Sequence, residues 1–460
     1  MEPFIKLPES KEEKSDHWMS SRYTIQSKEE DGSLYLSNTY SGAFINVPPK
    51  HVTSVKNILK NGYDGELEGL PKILAHRGFI VKETTNELFR ARMLHEIAGR
   101  KNDTLQLIFL VTEQCNFRCT YCYEKFEKGK MTKEVRESIK KYVRNKARFL
   151  KYLNIHWFGG EPLIAMDVIE ELSLEFKKVC EEFDITYTAS VTTNGYNLSP
   201  TNVKKLIEYN VSYFQVTVDG DHEHHDRTRH LAGGQSTFEK IWKNLLAMKE
   251  TNEKFLCRIR VNFLKENLPD VPNFIDKIKE NFSEDDRFAV NFFPVGQWGG
   301  PNDEELNVLT ERDATKSALS LCDLAVDKGL NNVLDDILKP GGYVCYAAKP
   351  NSFVIGSDGM IYKCTVALYN EKNHIGTLQP DGTMDLDMDK FALWVMNDEG
   401  EDPGCQKCFF RPSCQGSACP LVRIETGEAP CPPEKKYIKQ VVRVVGREKK
   451  RQLEKSKVKS

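Results

Sequence analysis

The chain has 460 residues, too many for one compact core, so roughly two to four domains are expected. Hydrophobic residues make up 40% and charged residues 29%, and 65 Lys and Arg stand against 67 Asp and Glu, a balance with no general pull toward nucleic acid or membrane. No apolar run is long enough to span a bilayer, and the N-terminus MEPFIKLPESKEEKSD lacks the apolar stretch of a signal peptide, so the cytoplasm is the default location.

Residues 1–17 are polar and expected to be disordered. Residues 18–100 read as a small α+β domain. Its β-like runs start at Arg22, Ser33 and Gly42, and Phe79-Ile-Val is a returning strand. A Pro pair opens a helix through Val52, Val55, Ile58 and Leu59, and 67–75 is a second helix. Over 101–330 strands and helices alternate. The spacing predicts strands at 105–111, 152–157, 186–191, 213–218, 257–263 and 288–293. Helices are expected near 131–149, 166–183, 200–209, 235–251 and 268–282. About six β/α units imply an α/β fold with a parallel sheet or partial (β/α)6 barrel of TIM type, with its chemistry at the C-terminal strand ends. Residues 335–433 are loop-rich. Residues 434–460 read as a basic tail with a surface helix.

Thirteen cysteines in a reducing compartment point to metal ligation or catalysis rather than disulfides. Cys180, Cys257 and Cys322 are scattered and read as small buried apolar groups. Cys115, Cys119 and Cys122 share the loop after the first strand of the β/α series. Three thiolates from one loop can each hold one iron of a cubane and leave the fourth iron open. A closed zinc site needs a fourth Cys or His, and none follows before His156.

The next strand ends carry polar motifs. Strand two ends in Gly159-Gly160-Glu161-Pro162; the glycines allow close backbone approach and Glu161 supplies an acceptor for an ammonium group. Strand three ends in Thr192-Thr193-Asn194-Gly195, whose side chains suit a ribose or carboxylate, although an Asn-Gly turn explains the same residues. Strand four ends in Asp219-Gly220, followed by His225-Asp226 and Arg229, a candidate carboxylate binder. His222, His224 and His225 look like a metal site, but loop histidines are more often solvated.

The C-x3-C-x2-C spacing, with Tyr121 before the third Cys, resembles the radical SAM superfamily. By that resemblance the open iron takes the amino and carboxylate groups of S-adenosylmethionine, and one electron from the cluster yields a 5′-deoxyadenosyl radical. The resemblance assigns Tyr121, Gly159, Gly160, Glu161, Thr193, Asn194 and Arg229 to cosubstrate binding. Seven more cysteines lie at 345, 364, 405, 408, 414, 419 and 431. Two zinc sites are one reading of them. Their order after such a core resembles a SPASM domain with two auxiliary [4Fe–4S] clusters. It implies Cys345, Cys364 and Cys419 on the first, and Cys405, Cys408, Cys414 and Cys431 on the second. Four residues separate Cys414 from Cys419, where the family usually has three.

SPASM enzymes mostly modify peptides and proteins. Anaerobic sulfatase maturases carry an Asp after the second SPASM cysteine; here Thr365 follows Cys364. Peptide maturases often carry a winged-helix-like domain that pairs a leader peptide with a strand edge, and residues 18–100 resemble it. The chain therefore resembles the thioether-forming maturases of sactipeptides and ranthipeptides. The implied partners are a precursor peptide with a leader and an electron donor such as flavodoxin or ferredoxin, with no nucleic acid and no membrane. Formylglycine formation, C–C crosslinking, epimerisation and a zinc-stapled peptide-binding scaffold are the alternatives.

Overall fold

The computed structural model describes residues 17–99, 101–397 and 402–459. The expected disordered segment 1–17 lies outside these residues except for His17, which opens a strand. The N-terminal region runs β1 (His17–Ser20), β2 (Thr24–Lys28), β3 (Leu34–Asn38), β4 (Phe44–Val47), α1 (Pro49–Asn61), β5 (Tyr63–Asp64), α2 (Gly69–His76), β6 (Ile80–Lys82) and α3 (Glu87–Gly99). It forms two antiparallel three-stranded sheets, ordered β2-β3-β4 and β5-β1-β6. Val55, Ile58 and Leu59 of α1 pack with Leu34, Leu36, Leu74 and Phe79. Helix α3 gave no sequence signal because it has no coherent apolar face: Ala91 is buried, while Phe89, Met93 and Ile97 are exposed.

The central region alternates strands and helices, with two helices between its fourth and fifth strands. It contains β7 (Thr104–Leu110), α4 (Lys133–Ala147), β8 (Tyr152–Phe158), α5 (Met166–Glu182), β9 (Thr186–Thr193), α6 (Pro200–Glu208), β10 (Val211–Thr217), α7 (His222–Thr228), α8 (Phe238–Lys249), β11 (Leu256–Phe263), α9 (Val271–Phe282), β12 (Phe288–Pro294) and α10 (Glu311–Asp327). The six strands pair in parallel in chain order, making a sheet like a partial barrel. Period-two alternation gives each strand two faces. On β11, Ile259 and Val261 are fully buried under the helices, while Arg258 and Arg260 occupy the alternate, concave face. Phe109, Trp157 and Phe176 stack in the helix-facing core.

The sheet does not stop at β7. It continues through β13 (Ser352–Ile355), β14 (Met360–Tyr362), β15 (Gly376–Leu378) and β16 (Met384–Leu386) to ten strands, with β13 parallel to β7. Short helices follow: α11 (Met388–Val395), α12 (Pro403–Lys407), α13 (Arg411–Cys414) and α14 (Pro420–Thr426). The cysteine-rich region is thus hung on the same sheet as the barrel.

The chain ends in α15 (Ile438–Lys459), which differs from the expected surface helix and tail. Val441, Val442, Val444 and Val445 are fully buried. Two adjacent valine pairs form a face wide enough to pack against β2, β3 and α10, and the surrounding charges pair rather than float. Arg447 alone binds Glu29, Asp323 and Asp327, each at 3.0 Å. A Cβ at Gly446 would lie 2.6 Å from the Tyr35 ring, so glycine lets β3 lie flat on the helix.

Candidate active site

The loop after β7 is seated from below by the end of β8. Gly159 adopts φ +118°, and a Cβ there would stand 2.2 Å from the Thr112 carbonyl oxygen. A Cβ at Gly160 would stand 2.5 Å from the Gln114 oxygen and 2.6 Å from that of Glu113. The Gly160 N–H donates to Thr112 O and the Glu161 N–H to Gln114 O, both at 3.0 Å. The expected close backbone approach is therefore real, but what approaches the glycines is the segment leading into Cys115. The other rail is 228–232: Arg118 N donates to His230 O, Thr120 N to Thr228 O and Ala232 N to Asn116 O.

Glu161 ties three strand ends together. It is fully buried, and Oε1 accepts from Leu163 N at 2.9 Å and Thr193 Oγ1 at 2.7 Å, while Oε2 accepts from Asn194 N at 2.7 Å. Burial pushes its carboxyl up, and the three donors pull against that. Most of its acceptor capacity is thus committed to the protein, where the sequence reading gave it to an ammonium group. Asn194 Nδ2 donates to Asn116 Oδ1 at 2.8 Å and lies 4.0 Å from Cys115 Sγ. Thr193 and Asn194 therefore hold the cysteine loop in place.

Tyr121 is the centre of a second network. Its hydroxyl donates to Asp219 Oδ2 at 2.5 Å and accepts from Arg229 Nη1 at 2.9 Å and Asn262 Nδ2 at 3.0 Å. Thr228 Oγ1 also donates to Asp219 Oδ2. Asp219 and Arg229 are both buried, yet Asp219 Oδ1 and Arg229 Nε have no partner. An orphan acceptor and an orphan donor beside a thiol loop suit a ligand bearing hydroxyl or ammonium groups and a carboxylate. Asp219 was quoted in the sequence without a role. Asn262 carried no signal, since only strand register brings it under Tyr121. Glu124, also missed, is buried with Oε2 unpartnered, and burial together with Glu113 pushes it up to about 8.

The three histidines separate. His225 is fully buried; its Nδ1 accepts from Asp219 N and its Nε2 meets Thr237 Oγ1 at 3.0 Å. Burial pushes its pKa well down, so it is a neutral strut. His224 pairs with Asp270 at 2.9 Å, and His222 is exposed.

Ten of the thirteen cysteines bear on one another electrostatically in three sets. Burial pushes the Cys115 thiol up, and the neighbouring Glu161, Cys119 and Cys122 charges add to that. Cys122 is pushed up to about 12 by burial and by Cys119. Cys345 is pushed up to about 11 by burial, with Cys364 and Cys419 acting in the same direction. Cys414 is pushed up to about 11 by burial, with Cys405, Cys408 and Cys431 acting in the same direction. The link from Cys414 to Cys419 turns through Gln415 (φ +54°) and Gly416 (φ +67°), and Ser417 O accepts from Cys345 N at 2.9 Å. The four-residue spacing is thereby turned toward Cys345.

Residues 109–278 match the Radical SAM superfamily. The chain carries a radical SAM domain. A cysteine-type anaerobic sulfatase-maturating enzyme of Clostridium novyi (strain NT) is 27% identical over 342 residues, covering 68% of this chain and 87% of that enzyme. The radical SAM cyclopropyl synthase TigE of Paramaledivibacter caminithermalis (strain DSM 15212 / CIP 107654 / DViRD3) is 26% identical over 270 residues, 50% of this chain and 54% of TigE. In fold the chain is similar to native anSMEcpe with bound AdoMet and Kp18Cys peptide, with a TM-score of 0.58 and 22% identity over 75% of this chain and 98% of that one.

The donor set of the radical SAM domain fits an iron–sulfur cluster. Without a metal, burial and mutual repulsion keep these thiols protonated; a bound cation reverses that balance. Among the described residues no three His, Cys, Asp or Glu side chains converge on a single ion. No helix among the described residues is long and apolar enough to cross a membrane.

Proposed function

We propose that this chain is a radical SAM peptide maturase. In this reading it joins a cysteine sulfur to Cα or Cβ of an acceptor residue in a ribosomally made precursor peptide. What supports the reading is which thiols bear on one another: Cys119 and Cys122 on Cys115, Cys364 and Cys419 on Cys345, and Cys405, Cys408 and Cys431 on Cys414. The groups at 115/119/122, 345/364/419 and 405/408/414/431 are assigned one [4Fe–4S] cluster each. When bound, the first cluster and S-adenosylmethionine would supply a carbon-centred radical that takes a hydrogen atom from the substrate; the thiol would give up its proton as the C–S bond forms, and the remaining electron would pass to an auxiliary cluster.

The chain's own residues do the positioning. Tyr121, Asp219 and Arg229 line the cosubstrate site, and Glu161, Thr193 and Asn194 fix the loop that presents the three thiols. Cys345, Cys364 and Cys419 would hold a cluster by three thiols, which would leave one iron available to a substrate thiolate. Residues 18–100 are assigned to the leader peptide, and a flavodoxin or ferredoxin to electron supply. Peptide chemistry is supported by the two relatives and by the peptide bound to anSMEcpe.

A second reading, formylglycine formation, is favoured by the match to the Clostridium enzyme. Thr365 stands against it. Its N–H donates to the Tyr346 hydroxyl at 2.9 Å and its own hydroxyl meets the same oxygen at 2.9 Å, so it is a held structural group rather than a base.

Two experiments test the proposal. Anaerobic reconstitution is expected to bring about twelve irons per chain, the stoichiometry of three cubanes; bound zinc without iron would sink it. Coexpression with a short Cys-rich peptide encoded beside this gene is expected to remove two hydrogens per crosslink by mass spectrometry. Conversion of a sulfatase cysteine to formylglycine, with that peptide unchanged in mass, would favour the second reading.

A further inference from the structure

Strand β11 carries an arginine whose charge the protein does not use. Arg260 occupies the concave face of the sheet, level with Thr217 on β10 and Asn291 on β12. Its guanidinium lies over the Phe293 ring, 3.9 Å from the centroid. Nε donates to Asn262 Oδ1 at 2.9 Å, and Asn262 Nδ2 in turn donates to the Tyr121 hydroxyl. The head group is thus aimed by a stacking face and one hydrogen bond, and stands two contacts from the Cys119–Cys122 loop.

The two terminal nitrogens have no hydrogen bond and no carboxylate within ion-pair distance among the described residues. The acid that bears on Arg260 is Asp219, whose Oδ2 is already shared by Tyr121 and Thr228. Arg229 bears on it from the same network with like charge, and the phenols of Tyr121 and Tyr123 are its other titratable neighbours. Burial pulls its pKa below the ordinary arginine value. A guanidinium partly stripped of water and beside a second arginine is unfavourable until an anion arrives. Its planar fork matches a carboxylate with two parallel N–H···O bonds. The ring of Phe293, 37% exposed, gives the site an apolar edge.

We propose that Arg260 is a substrate-binding residue whose two terminal nitrogens clasp a carboxylate of the peptide, from an Asp or Glu side chain or the C-terminus, beside the cysteine loop. This rests on the peptide reading above and narrows it. The substrate segment that enters the sheet's mouth carries an acidic group close to the reacting residue. The methionine carboxylate of S-adenosylmethionine is the other source of the same chemistry, and Arg229, with its orphan Nε, stands closer to the thiol loop for that role.

The test is protection from phenylglyoxal, which adds to accessible guanidinium groups, on the anaerobically reconstituted full-length protein. Peptide mapping by mass spectrometry follows the adduct at Arg260, with Arg148, which stacks on Phe149, as the control. N-acetyl-L-aspartate amide is expected to slow labelling of Arg260 by about threefold at twice its dissociation constant. The isosteric N-acetyl-L-asparagine amide at equal ionic strength is expected to leave it unchanged, and Arg148 should respond to neither. Equal labelling with both compounds overturns the proposal. So does protection by S-adenosylmethionine alone, which would assign the fork to the cosubstrate, and so does failure of Arg260 to react without ligand. The readout needs no turnover. A negative result here therefore speaks to Arg260, whereas an unchanged precursor mass on coexpression speaks to the maturase reading.

Discussion

Replacing Gly160 by Ala tests whether the cysteine loop is seated on the end of β8. The backbone at 160 has no positive φ, so the substitution probes close approach rather than strain. The new Cβ would stand 2.5 Å from Gln114 O and 2.6 Å from Glu113 O, both main-chain atoms that no side-chain rotation can move. The loop must retreat by roughly 0.9 Å to restore ordinary contact, an overpacking cost of about 1–3 kcal/mol. That retreat stretches the bonds from Gly160 N to Thr112 O and from Glu161 N to Gln114 O, each with a net value of about 1 kcal/mol. A loss of roughly 3–5 kcal/mol corresponds to a fall in Tm of roughly 10 °C for a domain of this size. Cys115 is the next residue after Gln114, and displacement approaching 1 Å at a reacting centre costs about a hundredfold in rate. Thermal denaturation followed by circular dichroism, with anaerobic SAM cleavage on the reconstituted protein, reads both effects. A Gly160→Ala protein that melts within about two degrees of wild type and cleaves SAM at the wild-type rate would refute the seating.

Replacing Cys115, Cys119 and Cys122 together by Ala is expected to abolish SAM cleavage while leaving about eight irons per chain, counted by iron analysis. Tyr121→Phe removes a hydroxyl shared by Asp219, Arg229 and Asn262, and should cost about 1–3 kcal/mol and weaken SAM binding in equilibrium dialysis. His156, hydrogen-bonded to Ser190 and Thr192, is pulled by burial from 6.5 to about 4. The unfolded chain therefore binds this proton first, so its contribution is intact above pH 6.5 and is lost as pH falls toward about 4. Urea denaturation across that window should show the slope, and His156→Gln should flatten it. Gly446→Ala pushes a methyl into the Tyr35 ring and should cost about 1–3 kcal/mol, with faster proteolysis of 17–99.

The central strands were legible because each is a run of alternating or continuously apolar residues bounded by turns, and all six lie within two residues of the expected bounds. The first cysteine loop was legible because three cysteines lie within eight residues of sequence. Glu161 and the glycines lie at the end of β8 as expected, where they also contact the protein's own strand ends. A motif shows which residues meet at a strand end, not whether they meet a ligand or each other. Asn262 and Arg260 gave no signal, since in sequence they are alternate residues of an ordinary strand.

The sequence by itself determined the parallel β/α order and the absence of a long apolar run, because these depend on local period and composition. Only the tertiary structure decided the rest. It joined β13 to β7, turned the tail into the buried α15, tied Tyr121 to Asp219, Arg229 and Asn262, and left Arg260 with an unmatched charge. The physical reason is the same in each case. Pairing, burial and desolvation depend on groups brought together from far along the chain, and the local pattern of a segment carries no record of the partner it will meet.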